Sequence, residues 1–370
     1  MSIRVAFPFV GDTIGGSHIS AALLMAELPR HGFSPVAIVH QDGPLLPWLE
    51  KRGLNFVRAD LPMLQSGAAG IAAVLRIVSI APRLALFLRR NGFALVHAND
   101  GRMITSWMPA ARLAGCATVA HRRTRWSVSR LSDIAFSFAQ KVIAISRYVE
   151  STLPALLSSK SIVIANPFER FDISRSDARR HVAVLVGADG PVIAFIGTLQ
   201  RQKRPDIFLR SAAIIQAQCP DLRFLMIGRD GDEGAAARTL CAKLNLDGVV
   251  TFAGFRPDAG ECLAGCDLLL APAVEEGHGR TLVEAMNASV PVIAAASGGH
   301  PDIIEQDRTG LLVTPDDPQA LADAALALLA DPARAGIMAN AARAWAHATF
   351  SIEAHAGAVA EVYRGLLCGK

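Results

Sequence analysis

The chain has 370 residues, 51% hydrophobic and 19% charged, which excludes an intrinsically disordered polymer and leaves room for two well-cored domains. Its formal net charge of +4 hides an asymmetry, because residues 1–180 carry a net +11 and the remainder −7. A basic first half suits an anionic small-molecule or glycan partner, and nucleic acid is not expected. The opening run MSIRVAFPFVGD has one Arg and a short apolar stretch, which suits a first strand better than a signal peptide. Apolar runs predict strands at 4–9, 35–40, 55–58, 94–97, 117–121, 142–145 and 162–165, and helical periodicity fills 17–30, 71–90, 103–113 and 147–157. Residues 68–88 form the longest apolar region. Arg76, Pro82 and Arg83 interrupt it, so a sheet-covering helix is expected rather than a bilayer span, with a membrane-surface contact as the other reading.

Residues 166–190 carry Pro, charges and one short basic helix around 177–185, and read as the link between domains. A second alternating set follows, with strands expected at 192–196, 223–227, 249–252, 267–270, 292–295 and 311–313. From Pro318 to Leu367 the chain is Ala-rich and helical. Strand–helix alternation of this kind builds parallel, doubly wound α/β sheets whose ligands sit at the carboxyl ends of the strands. The expected division is 1–170, a linker at 171–190, 191–350, and a last helix at 351–370 that returns to the first domain. Six Cys show no CxxC pairing; Cys262 and Cys266 lie one helical turn apart and are expected as buried thiols in a reducing cytoplasm.

Residues 271–287, APAVEEGHGRTLVEAMN, read as a strand end, a Gly loop and a helix start. A helix N-terminus after a Gly loop attracts anions. Glu276 and Glu284 bracket that place, and a carboxylate pair repels phosphate but accepts hydrogen bonds from hydroxyls. A ligand with a diphosphate between two polyols, a nucleotide sugar, meets both demands. Lys203, in the GTLQRQKRPD loop, supplies a point charge for the diphosphate, and Gly15-Gly16 permits close approach at the first helix. Arg122, Arg123 and Arg125, with Trp126, directly follow His121. They are either a solvated loop or a wall that receives an anionic acceptor. Asp230 and Asp232 resemble a cation-holding carboxylate pair, but they fall in a turn, and no metal or other cofactor is expected.

The motifs GTLQRQKRPD, MIGRDGDE, VTFAGFRPD, CDLLLAPAVEEGHGRTLVEAM, VPVIAAASGGHPDII and DRTGLLVTPDD, in this order, resemble the retaining glycosyltransferases of family 4. The likeness covers the second domain; in the first it is confined to Gly15-Gly16, the His97 strand end and Ala120-His121. It implies a GT-B fold of two Rossmann-like domains facing across a cleft, with the acceptor mostly on the first and the donor on the second. It implies that Glu276 meets the donor sugar, that the backbone of Gly277, His278 and Gly279 meets sugar and phosphate, and that Glu284 binds the ribose. Gly16, Thr198, Arg201, Lys203, Arg280 and Thr281 complete the expected donor site, and His121 matches the family's active-site His. Thr198 stands where many members have Arg, and His278 replaces the usual aromatic. The function expected from the resemblance is retaining hexosyl transfer from a nucleotide sugar to a glycan or lipid-linked acceptor in bacterial cell-surface polysaccharide or lipopolysaccharide synthesis. The place expected is the cytoplasm, peripheral to the inner face of the plasma membrane. A nucleotide-sugar epimerase or a catalytically silent sensor are the alternatives; the intact Glu pair favours an enzyme.

Overall fold

The computed structural model describes residues 2–65, 70–125, 130–170 and 173–369, with 130–133 described by backbone alone. The chain divides into two compact units, Met1–Phe168 with Ser351–Lys370, and Glu169–Phe350. Seven strands form the sheet of the first unit: β1 (Ile3–Phe9), β2 (Phe33–Val39), β3 (Phe56–Arg58), β4 (Leu95–Ala98), β5 (Ala117–Arg122), β6 (Lys141–Ala144) and β7 (Ser161–Val163). They lie parallel in the order β3-β2-β1-β4-β5-β6-β7. Six more form the sheet of the second: β8 (Val192–Ile196), β9 (Arg223–Ile227), β10 (Val250–Gly254), β11 (Leu268–Ala271), β12 (Val292–Ala295) and β13 (Leu311–Val313). Their order is β10-β9-β8-β11-β12-β13, again parallel throughout. Each sheet therefore reverses its winding once, between β1 and β4 and between β8 and β11, and those two points are where such folds open a crevice for ligands.

Both sheets are buried on both faces by helices, which is why their strands read as continuous apolar runs. In the first unit the helices Gly70–Arg90 and Gly101–Ala114 close one face around Trp107, while Gly16–Glu27 and Ile352–Cys368 close the other around Phe7, Phe33 and Tyr363. In the second, Phe208 and Phe224 centre a core shared by the helices Pro205–Gln218 and Pro318–Ala330.

Three expectations need correction. The stretch 147–157 is two short helices, Arg147–Ser151 and Ala155–Ser158, because extended Pro154 breaks the run. The first helix stops at Glu27, and Pro29 and left-handed Gly32 turn the chain through a 3₁₀ segment. The expected linker is not a free connector. Ser174 caps the helix Arg175–Val186, which buries Ala178, Val182 and Val186 in the second unit and ties Arg179 to Asp267 at 2.5 Å. Residues 171 and 172 of that linker lie outside the described residues.

Candidate functional site

The second unit assembles its site from three loops that leave neighbouring strands, β8, β11 and β12. After β8 the chain passes Gly197 and Thr198 into a 3₁₀ turn, Arg201–Lys203. The Lys203 stem lies along Gly197, where a Cβ would sit 3.3 Å from its Cδ, and its ammonium meets the Glu276 carboxylate. Gly228 gives the loop no alternative, since a Cβ there would fall 1.9 Å from the Gly197 carbonyl oxygen.

After β11 the loop is held by its neighbours rather than by itself. Val274 N–H donates to the Gln202 carbonyl at 2.9 Å, Glu275 N–H to Ser297 Oγ at 3.2 Å, and Gly299 N–H to the Glu276 carbonyl at 2.8 Å. Gly298 adopts φ +59°, and a Cβ there would come within 2.5 Å of the Glu276 oxygen, so only glycine allows the two loops to touch. Gly279, at φ +104°, turns the chain into the helix Arg280–Asn287, with the His300 ring packed beneath it. His300 is buried and bonded through Nδ1 to the Ala295 carbonyl at 3.0 Å. It is a supporting residue that the Glu-centred reading of the sequence passed over.

One turn into that helix, Glu284 accepts from Arg280 Nε at 2.7 Å. Burial pushes its carboxyl above the usual carboxylate range, against the opposing pull of Arg280 and Lys203. Lys203 thus bonds Glu276 and bears electrostatically on Glu284. Thr281 is half-buried on the same first turn, with Arg280 exposed. Arg201 is exposed on a cavity of about 570 Å³ that it shares with Gln200, Asp232 and Glu275. Arg204 is committed elsewhere, its guanidinium 2.6 Å from Asp316. A larger groove, about 740 Å³, lies at the opposite, amino ends of the strands beside Pro191, Leu222 and Pro291, and contains none of the site side chains.

At His278 the backbone, not the ring, is what the loop offers. Its ring turns inward, buried edge-on against Phe350 at 5.7 Å, so that only its backbone can serve a ligand.

In the first unit, Gly16 opens the helix that follows β1, with Gly15 N–H donating to His18 Nδ1 at 3.2 Å. His121 stands one residue before the end of β5, which runs on to Arg122, and is fully buried, at 0% exposure, so its side chain does not face solvent. Arg123 Nη2 lies 3.3 Å from His121 Nδ1, and since a guanidinium only donates, that nitrogen accepts. His97 Nε2, at 3.2 Å from the same atom, must then donate, leaving His97 Nδ1 to accept from the Tyr363 hydroxyl at 2.6 Å. The chain of donors puts the His121 proton on Nε2, which has no partner among the described residues. Burial first, then Arg123, holds both His97 and His121 well below the usual imidazole range. In this arrangement the bare nitrogen of a neutral His121 is already taken by donors from Arg123 and His97.

The three arginines do not form one exposed wall. Arg123 is drawn inward, bonding Asn99 at 3.0 Å and also Asn166; burial lowers it to about 9, so it stays charged at neutral pH. Arg122 is half-buried and donates to the Arg125 carbonyl at 2.7 Å, while Arg125 is exposed. Trp126 lies outside the described residues. The split follows from strand pairing, which fixes Arg122 beside Ala144 at the end of β5 and leaves the following residues to turn away.

For metal, Asp230 is engaged by Arg238 at 3.1 Å. One cluster of potential ligands occurs among the described residues, His181, Asp258 and Cys262, but the Arg256 guanidinium already reaches His181 at 3.1 Å and Asp258 at 2.6 Å. Cys262 and Cys266 are both buried free thiols.

Family comparison bears on both units. Residues 14–169 match the profile of Glycosyltransferase Family 4, and residues 179–345 that of Glycosyl transferases group 1. The D-inositol 3-phosphate glycosyltransferase of Mycobacterium avium (strain 104) is 32% identical over 211 residues, 55% of this chain and 49% of that protein. The chain thus spans about half the length of the curated relatives it matches. HepE of Anabaena, solved with UDP and glucose, superposes with a TM-score of 0.81 over 98% of this chain and 100% of that one at 22% identity. The lipopolysaccharide outer core galactosyltransferase WaaB, in its apo form, does so at 0.75 over 98% and 100%, at 15% identity.

Proposed function

Since the chain belongs to the glycosyltransferase family 4 and group 1 lineage and has the GT-B fold, we propose that it transfers a sugar from a nucleoside-diphosphate donor to a glycan or lipid-linked acceptor with retention of configuration. The observation that carries this reading is the meeting of Lys203, Glu276 and Glu284 at the point where the second sheet reverses its winding. A departing nucleoside diphosphate gathers negative charge, which Lys203, Arg201 and the amino end of the helix Arg280–Asn287 stabilise. Glu276 receives the sugar hydroxyls and Glu284 the ribose hydroxyls. The leaving phosphate itself takes the acceptor proton on the front face, the route that the family resemblance implies. His121 then orients the strand end and its neighbours and does not move the proton.

The acceptor we assign is anionic. The basic first unit, with Arg125 exposed beside the β5 end, supports it, as does the phosphorylated acceptor for which the curated relatives are named. Synthesis of a bacterial surface polysaccharide or lipopolysaccharide on the cytoplasmic side, without a metal cofactor, is the setting that fits such a reaction. A thermal-shift screen of nucleotide sugars tests the donor reading. The true donor at a hundredfold its Kd adds about 2.7 kcal/mol to stability; a flat response to every nucleotide sugar overturns it.

A further inference from the structure

The helix Gly70–Arg90 is the one element, among the described residues, long and apolar enough to cross a bilayer by length and composition. It does not need to cross one, because half of it is already used. Ala73, Ile77, Ile80, Leu84 and Leu88 repeat at helical spacing and are buried in the core of the first unit. The outward side repeats just as regularly. Ile71, Leu75, Val78, Pro82 and Leu86 follow one another at intervals of four and three, which places them in a single stripe along the solvent side. Ile71 is 79% exposed, and Leu75 and Val78 are each 64% exposed. A soluble helix ordinarily covers that side with charge, and scattered exposed apolar residues do not line up over the helix's length.

The cations lie beside the stripe in a row of their own. Arg76, Arg83 and Arg90 are spaced seven apart, so they stack along one edge of the apolar side, all exposed. None of the three makes an ion pair among the described residues, whereas Arg89 turns away to the Leu113 and Ala114 carbonyls. The sequence holds no Asp or Glu between Asp60 and Asp100, so the chain offers this row no local counter-charge.

We infer that this face docks on an anionic lipid bilayer, with the helix lying in the plane of the interface. The stripe enters the headgroup–acyl boundary while the arginines keep their heads among the phosphates. Charge decides the occupant. A second copy seated on this face would bring another Arg row and no carboxylate, burying like charges together, whereas anionic headgroups neutralise the row directly. The inference deepens the reading of a lipid-linked acceptor, but its test needs no sugar, so the two can fail separately.

Sedimentation with vesicles is the test, comparing phosphatidylcholine alone with phosphatidylcholine containing phosphatidylglycerol. The protein should pellet with the anionic vesicles only, and less so as salt rises. Replacing Arg76, Arg83 and Arg90 by Ser should weaken binding by about a hundredfold, taking each surface Arg near a bilayer at its usual worth. The double variant Ile71→Glu and Leu75→Glu should abolish binding while leaving nucleoside-diphosphate affinity on the other unit unchanged, which also reports that the chain is folded. Equal binding to both vesicle types, no pelleting with either, or a dimer in light scattering that the Glu variant dissociates would each overturn the inference.

Discussion

Glu276 and Glu284 are both acidic and both in the donor loop, yet they stand to lose different things. Glu284 is held by Arg280 and pushed upward by burial, so Glu284→Gln removes a charged acceptor from a site that has little water to replace it. Nucleoside-diphosphate binding should weaken by about 1.5–3 kcal/mol, or roughly 10- to 150-fold. Titration calorimetry giving wild-type affinity would remove the ribose assignment. Glu276→Gln instead frees Lys203, so it should depress turnover while leaving nucleoside-diphosphate binding intact or tighter. The arginines after His121 separate just as cleanly. Arg123→Ala strips partners from His121, Asn99 and Asn166 and should cost about 1–3 kcal/mol in calorimetric stability. Arg125→Ala, at an exposed position, should leave stability alone and raise the KM for an anionic acceptor. If the two variants melt alike, the inward placement of Arg123 carries no energetic weight.

The loops at the strand ends depend on glycines whose conformation no other residue shares. Gly298→Ala must accept both φ +59° and a methyl 2.5 Å from the Glu276 carbonyl, so it should destabilise by about 1–3 kcal/mol and weaken donor binding with it. Gly260, in the helix Ala259–Ala264, has nothing within 4 Å of its Cβ position, and Ala there should stabilise by about 0.5–1 kcal/mol. Comparing the two midpoints separates loop interlock from glycine entropy. These elements were unequally legible. Strands buried on both faces announce themselves as apolar runs, and each expected strand found its place in a sheet. The helix Leu45–Lys51 lies in a stretch for which no element is expected; Pro44 stands at its N-cap and Pro47 in its first turn, where the missing N–H costs nothing. The donor loop was legible because its chemistry is local, with Glu276 and Glu284 eight positions apart in one stretch. The buried set in the first unit was not, since His97 and Tyr363 meet across 266 positions of sequence. No periodicity marks such a pair.

At the scale of the whole molecule, the buried imidazoles set the response to acid. His97, His121 and His300 are all held below their ordinary range, with burial the leading cause. The unfolded chain takes up their protons near pH 6.5 while the folded chain does not, so their contribution is intact above that pH and is lost as pH falls below it. The slope is at most about 1.4 kcal/mol per pH unit for each His. Glu284 and Asp100, raised by burial, act with the opposite sign and take back part of that loss. The urea midpoint should therefore fall from pH 7.5 to 5.5, and His121→Asn should flatten the fall; a midpoint that rises contradicts the buried neutral network. The reaction itself is tested most directly by proton NMR of the product formed from an α-linked nucleotide sugar in excess chelator. The anomeric coupling of the first product to appear should be that of the α-anomer, at a rate unchanged when Mn²⁺ is supplied. A β-anomer appearing first, or no turnover until the metal is added, contradicts retaining, metal-independent transfer.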